Sequence, residues 1–444
     1  MATSYYTVLQ KKSNIRKILI IAPHFPPSNL AGVHRTRLFA QHLPSFGWEP
    51  VILSVHEKYY EEVLDWNLVK LLPPGLRIEK VKAMKVTKPR LVGDIGLRAF
   101  FQLYKKAKNL IKNEKIDFLY IPIPSFYVAL LGRWLHATTN IKYGIDYIDP
   151  WVHEFAGSEK LFSRHWFSTK LSKILEPIAL KKAALVTGVG EGYFKGVIER
   201  NPLLSRNCYF KAMPYGGEIN DHTLVDELML KPYLLKKKED KIQLVYGGAM
   251  LPKAFTVIEK IFLAISMDRE IFRDLELHFI GTGSSPGNPK GYNIRPIAEK
   301  YGLWQTIIFE YPARIPYLDI LVHLSSASGV FIFGSTEFHY TPSKVYQAVL
   351  SKKAVWAILH TQSSACDVLR AAGAGAVLDF NGEGGLDTIV DNLASSYQDY
   401  KILLRDFNPA GINLSEFQRY SAKNVTGSLA QALDSIFSTE QQAI

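Results

Sequence analysis

The sequence predicts an α/β protein of two Rossmann-like, doubly wound domains that face each other across a cleft. Three observations predict it. Short apolar runs alternate with helical stretches over roughly 200 residues, which is the mark of βαβ units. The alternation stops at a polar interruption and then begins again. Both halves open in the same way, on a strand, a glycine-bearing loop and a helix.

In chain order, KILIIA at Lys17–Ala22 runs into Pro-His-Phe-Pro-Pro and reads as a buried parallel strand followed by a loop. Gly32 and the helical pattern Val33–Leu43 come next. Pro50–Val55, Ile116–Ile121, Lys142–Ile148 and Ala184–Gly188 supply further strands, with helical stretches between them. Pro214–Gly217 is a turn signal, and the charge run KKKEDK ending at Lys241 is a solvated linker or surface loop. The second array begins at Ile242–Tyr246, closed by Gly247-Gly248, with a helical pattern over Phe255–Ile265. Leu275–Ile280 ends in Gly281-Thr-Gly283, and Thr306–Phe309, Gly329–Phe333, Ala354–Ile358 and Gly375–Leu378 follow. Ala422–Phe437 reads as one amphipathic helix. The expected domains are 1–215 and 216–421, with 422–444 crossing back to the first. Ligands of such a pair belong at the carboxyl ends of the strands, in the cleft.

Composition narrows the class. The chain has 444 residues, enough for two or three domains at ~100–200 residues each. Its 47% hydrophobic and 21% charged residues are ordinary for a globular protein. Two cysteines, Cys208 and Cys366, exclude a disulfide scaffold and a Cys-rich zinc module, and point to an intracellular, cytoplasmic protein. No run reaches the ~18 apolar residues of a membrane span. Ile18–Ala22 is shorter than the ~7–15 residues of a signal-peptide core, and Pro23 stops it. Charge is uneven: residues 1–200 carry a balance of +14, and residues 201–444 a balance of −2. The first half is therefore expected to face something anionic, whether membrane, nucleic acid or a phosphorylated substrate.

KILIIAPHFPPSNLAGVHRTRLFAQHLPSFGWEPVILS resembles the opening of retaining glycosyltransferases with the GT-B fold, the family 4 group. VYGGAMLPKAF resembles that family's glycine loop ending in lysine, LELHFIGTG its strand ending in Gly-x-Gly, and YTPSKVYQAVLSKKAVWAI its donor-binding helix. The set covers most of the chain in order. It implies a nucleotide-sugar donor held by the second domain, an acceptor held by the first, and no metal or other cofactor. No Asp-x-Asp or His/Cys ligand set is evident in the sequence.

The resemblance also assigns residues. Thr341-Pro342-Ser343-Lys344 is expected to cap the donor helix and, with Lys344, to receive the diphosphate; the plainer reading is an ordinary capped helix. Lys253, after Gly248, is placed to neutralise the departing diphosphate, or else is a surface lysine. The arginine that relatives carry just after this glycine is missing, because Ala249 and Met250 stand there. Arg35 is the cation expected to replace it, with Arg37 pointing elsewhere at helical spacing, and Gly32 lets backbone approach the sugar. The family's pair of glutamates is broken: Gln347 takes the second position and His339 lies eight residues earlier, with Glu337 as the alternative. A neutral Gln347 binds ribose hydroxyls more weakly than a carboxylate does. Asp149, in Asp146-Tyr-Ile-Asp149-Pro-Trp151, stabilises the oxocarbenium-like centre or orients the acceptor, or caps a helix. Trp151 reads as packing.

The implied activity is transfer of a sugar, with retention, to a hydroxyl of a glycan or lipid-linked acceptor in cell-surface synthesis. The alternative is a degenerate GT-B protein that binds nucleotide-sugar or glycan without turnover. Epimerases of nucleotide-sugars use a similar fold, so the fold alone does not fix the reaction. Nucleic acid is an unlikely partner, since no aromatic-basic recognition module is evident. Two basic amphipathic segments suggest peripheral docking on the inner face of the cell membrane. One is Lys105, Lys106, Lys108 and Lys112 around Phe100, Phe101, Leu103, Leu110 and Ile111. The other is Arg164, Lys170, Lys173, Lys181 and Lys182 with Phe162, Trp166 and Phe167.

Overall fold

The apolar runs of each half assemble into one parallel sheet in the computed structural model, which describes residues 15–86, 93–152, 163–250, 252–283, 291–338 and 340–441. The first sheet contains β1 (Arg16–Ile21), β2 (Trp48–Val55), β3 (Arg77–Val81), β4 (Phe118–Ile123), β5 (Lys142–Tyr147), β6 (Leu185–Gly188) and β7 (Tyr209–Ala212). Their order is β3-β2-β1-β4-β5-β6-β7. The second contains β8 (Ile242–Gly247), β9 (Leu275–Ile280), β10 (Ile308–Tyr311), β11 (Gly329–Phe333), β12 (Val355–His360) and β13 (Gly375–Phe380), in the order β10-β9-β8-β11-β12-β13. In each sheet the order reverses beside the first strand, at β1/β4 and at β8/β11. Such a switch point opens a crevice above the carboxyl ends.

Both faces of both sheets are covered, which explains why the central strands read as continuous apolar runs. Ile18 and Ile20 face one layer of the first half while Leu19 and Ile21 face the other. Val245 and Leu244 divide in the same way in the second half. Two strands were not visible in the sequence. RIEKV of β3 and YFKA of β7 are the outer strands of the first sheet, short and partly exposed. Charge is tolerated, and useful, at such an edge.

The helix Ala422–Gln441 packs Val425, Leu429 and Leu433 into the first half, against Phe39, Leu43 and Ile52. Asp434 ties it further, accepting from Arg16 at 3.1 Å and from Trp48 Nε1 at 3.2 Å. The chain thus passes twice between the halves. The two passages run side by side, with the Gly217 N–H on the Tyr420 carbonyl at 2.9 Å and the Ala422 N–H on the Gly217 carbonyl at 2.8 Å. Gly216 sits at φ +82°, and a Cβ there would lie 3.0 Å from the Ala422 Cα, so this crossing needs glycine.

Of the two basic aromatic segments, the first does not face outward. Phe100, Leu103, Leu110 and Ile111 are buried in the core of the first half, and only Phe101 is exposed. Phe162 of the second segment lies outside the described residues. Among the described residues no helix is long and apolar enough to cross a membrane.

Candidate functional site

The loops after β1, β4 and β5 on one side, and after β8, β9, β10 and β11 on the other, enclose a cavity of about 860 Å³. That is the size of a small-molecule site. Asp149, Gly248, Lys253, Thr341, Ser343, Lys344 and Gln347 all line it. The seven come from three separate loops and one helix.

The ceiling of the second half is built from glycine turns. Gly248 follows β8 at φ +122°, and its N–H donates to the Ile280 carbonyl at 2.8 Å. A Cβ on Gly248 would stand 3.3 Å from Lys344 Nζ, so glycine keeps the approach to that ammonium open. Gly281 closes β9 in the same manner, its N–H on the Tyr311 carbonyl at 2.8 Å.

Lys344 is the most unusual group. Its Nζ lies 3.7 Å from the centre of the Tyr246 ring, and no carboxylate pairs with it among the described residues. Burial pushes its pKa down to about 7. A cation held there without a counter-ion is a receptor for an anion. The donor helix differs from the expectation in one respect. It runs Lys344–Leu350, and Ser343, not Thr341, precedes it, without a side-chain cap. Thr341 instead shares a hydrogen bond with Ser364 at 2.8 Å, because the intervening Pro342 and Ser343 form a separate turn.

Lys253 is half-exposed at the cavity edge and pairs with Glu337 at 3.6 Å. Glu337 lines the cavity, so a carboxylate from the loop after β11 does reach the site although the family's glutamate spacing is broken. Gln347 projects from the helix into the same space, and its Oε1 lies 2.8 Å from His222 Nε2. Burial lowers the His222 pKa, which favours the neutral ring that donates to this amide. His339 lies outside the described residues.

Arg35 requires a correction. It is fully buried behind the cavity, not in it. Its Nε and Nη2 donate to the two oxygens of Asp146 at 2.7 and 3.1 Å, and Nη1 donates to the carbonyls of Met213 and Pro214 at 2.9 and 2.7 Å. Burial alone would lower the guanidinium pKa; Asp146 overrides it and holds the group charged. Four of its five N–H groups are engaged and the side chain does not line the cavity, so it is not placed to meet a nucleotide-sugar. Arg37 reverses the expectation too. It lines the cavity, held by Asp221 at 2.6 and 3.0 Å, and its Nε finds no partner among the described residues. Gly32 sits beside the cavity, where a Cβ would meet Pro124 at 3.3 Å and Ile148 at 3.5 Å. Asp149 is exposed at the mouth, near Tyr193, Tyr215 and Tyr340, whose pKa values it helps raise after burial. Trp151 is buried and stacks on Phe126 at 6.0 Å, as packing.

Two groups escaped the sequence reading. Arg314, in the loop after β10, lines the cavity and makes no hydrogen bond or ion pair among the described residues. Burial lowers its pKa, and Glu62 partly restores it. Its Cα would be 3.9 Å from a Cβ on Gly281, so it projects from the end of the strands. The topological rule could have found it, as a cation directly beyond a strand's carboxyl end. His34 packs on Tyr317 at 4.3 Å between ring centres. Burial, with Arg37 and Arg314 nearby, pushes its pKa down to about 3, so it is neutral. Its Nδ1 has no hydrogen-bond partner among the described residues.

The cavity therefore gathers Lys344, Arg314 and Lys253 on the second half, and a neutral His34 with Arg37 on the first. Such a set suits a ligand with a multiply charged anionic end and a polar, uncharged end. Among the described residues no group of three or more His, Cys, Asp or Glu is placed to hold a metal ion.

No family model and no curated protein matches the chain. Solved structures do. HepE from Anabaena, solved with UDP and glucose, has a TM-score of 0.62 at 12% identity, covering 95% of this chain and 100% of its own. Sucrose-phosphate synthase from Thermosynechococcus elongatus has 0.61 at 14%, over 96% and 100%. The N-terminal domain of trehalose-6-phosphate phosphatase from Candida albicans has 0.60 at 14%, over 95% and 96%. The fold is GT-B. In that fold the cavity described above is the cleft between the two Rossmann-like halves.

Proposed function

We propose that the protein is a glycosyltransferase that binds a nucleotide-sugar in this cleft and passes the sugar, with retention, to a hydroxyl of a glycan or lipid-linked acceptor. The observation that carries the reading is the unpaired, partly buried Lys344 beside Gly248, in the cavity that Arg314 also lines. A diphosphate is the anion that two such cations and an open glycine turn accommodate. UDP is the first nucleotide to test, because HepE, which shares the fold, was solved with UDP.

Lys344 and Arg314 hold the diphosphate, and Lys253 stabilises the charge that grows on it as the bond to the sugar breaks. These cations carry the phosphate charge, so the chemistry is proposed to be metal-independent. Gln347 receives the ribose hydroxyls, oriented by His222. The transferred sugar lies toward His34 and Asp149, where a neutral ring and a carboxylate meet its hydroxyls and its developing positive charge. The diphosphate itself takes the acceptor proton, which keeps attack and departure on one face and gives retention.

The test is calorimetric titration of UDP, followed by release of UDP from UDP-sugars and NMR of the product anomer. Tight UDP binding with slow donor hydrolysis, both weakened at least about tenfold in Lys344→Met, is the expected result. Binding without any turnover across UDP-sugars supports the alternative of a degenerate binder. Absence of nucleotide diphosphate binding overturns both.

A further inference from the structure

The helix Arg164–Leu180 has two faces that do different things. Ser168, Thr169 and Ser172 line the cleft. On the opposite side Phe167, Leu171, Ile174 and Ile178 are 55%, 42%, 62% and 45% exposed. Their spacing of four, three and four residues places them in one straight stripe. The stripe is not part of the core: Ala179 and Leu180, with the partly buried Leu175, supply the helix's apolar contacts there. Leu171, Ile174 and Ile178, three large apolar side chains in a row and open to solvent, call for a partner.

The charge around the stripe says which partner. Lys170 and Lys173 lie along one flank, and Lys181 and Lys182 stand exposed just beyond its end. The helix has one acidic residue, Glu176, and it points inward, its side chain fully buried. Arg200 donates to it at 2.8 and 3.0 Å and Tyr147 at 3.2 Å. Among the described residues the helix therefore turns an apolar and cationic face outward and keeps its one carboxylate inside. Trp134 and Phe101, on the helices Ala129–Thr139 and Phe100–Glu114 of the same layer, are also exposed.

We propose that this helix docks the protein on an anionic lipid bilayer, stripe inward, and so presents the cleft to a lipid-anchored acceptor. A helix is about 10 Å across, so the cleft face of Ser168 and Ser172 then stands about that far above the lipid interface. A hydroxyl on a lipid headgroup saccharide reaches that height without leaving the membrane. The docking stands on the stripe and its charges; only the step to a lipid-anchored acceptor rests on the glycosyl-transfer reading.

Vesicle flotation tests it. Wild-type protein is mixed with phosphatidylcholine vesicles, with and without phosphatidylglycerol, and compared with Leu171→Gln/Ile174→Gln/Ile178→Gln and with Lys170→Gln/Lys181→Gln/Lys182→Gln. The wild type is expected to float with the anionic vesicles. The apolar triple variant should bind at least about tenfold more weakly, and the lysine variant should lose its salt sensitivity as well as affinity. Calorimetry with UDP on each variant reads the donor site separately. Unchanged UDP binding shows that the fold is intact, so a loss of flotation belongs to the stripe, and a failure of UDP binding in the wild type leaves the docking result valid. Equal flotation with neutral and anionic vesicles, or full binding by the apolar variant, overturns the proposal. So does a concentration-dependent dimer that the apolar variant abolishes without any lipid binding, because the stripe would then be a protein interface.

Discussion

Replacing Lys344 by methionine separates what this residue costs the fold from what it gives the ligand. The unbranched side chain is shortened by one atom, and sulfur sits well against an aromatic ring such as Tyr246. Burial holds the lysine pKa at about 7 in the folded protein, against an ordinary value of 10.5. That gap corresponds to about 5 kcal/mol for holding the charged form inside, an upper figure because water entry softens it. The sign follows from proton counting. Between about pH 7 and the ordinary lysine range the unfolded chain holds a proton that the folded chain has released, so the lysine's penalty shrinks as pH rises and is complete below about pH 7. Lys344→Met should therefore raise the stability of the ligand-free protein, by ~2–4 kcal/mol at pH 6 and by less at pH 9. The same variant should lose the charge-assisted contacts to a diphosphate, ~1.5–3 kcal/mol, or roughly 10- to 100-fold in UDP affinity. In the wild type, UDP binding at pH 8 should draw about one proton from solution as the ammonium is restored. Denaturant unfolding at the two pH values checks the first part. Calorimetry in two buffers of different ionisation enthalpy checks the second. A destabilised variant that binds UDP as tightly as wild type, with no proton uptake in the wild type, would refute the reasoning.

Three further outcomes are expected. Asp146→Asn leaves the Arg35 guanidinium buried without its counter-charge and should cost ~3–5 kcal/mol in denaturant unfolding; a loss below ~1 kcal/mol would mean that Arg35 relaxes to another acceptor. Arg314→Gln should weaken UDP binding about tenfold in calorimetry with little change in melting temperature, because the arginine has no partner to lose among the described residues; unchanged affinity would remove it from the diphosphate site. Donor hydrolysis should persist in excess chelator, since Lys253, Lys344 and Arg314 carry the phosphate charge, and a complete loss restored by a divalent metal would count against that assignment.

The sequence by itself determined the architecture. Continuous apolar runs such as Ile18–Ile21 and Val330–Phe333 read as strands covered on both faces, and their alternation with helical stretches points to parallel sheets. It also placed the cleft residues that follow strands in the chain, Asp149, Gly248 and Lys253, because a position just beyond a strand needs no partner to be located. It failed wherever the answer depended on what lies opposite. β3 and β7 carry charge because they lie at edges, which only the assembled sheet reveals. Arg35 and Arg37 stand two residues apart on one helix, and no local signal says which faces the cleft. Asp146 and Asp221, from distant parts of the chain, decide that. Arg314 and Lys344, 30 residues apart in sequence, came to line one cavity only when β9 and β8 packed between β10 and β11, the strands that precede them. Periodicity is a property of neighbours along the chain, whereas the charge state of a buried group is set by its neighbours in space, and for this protein only the tertiary structure supplied those.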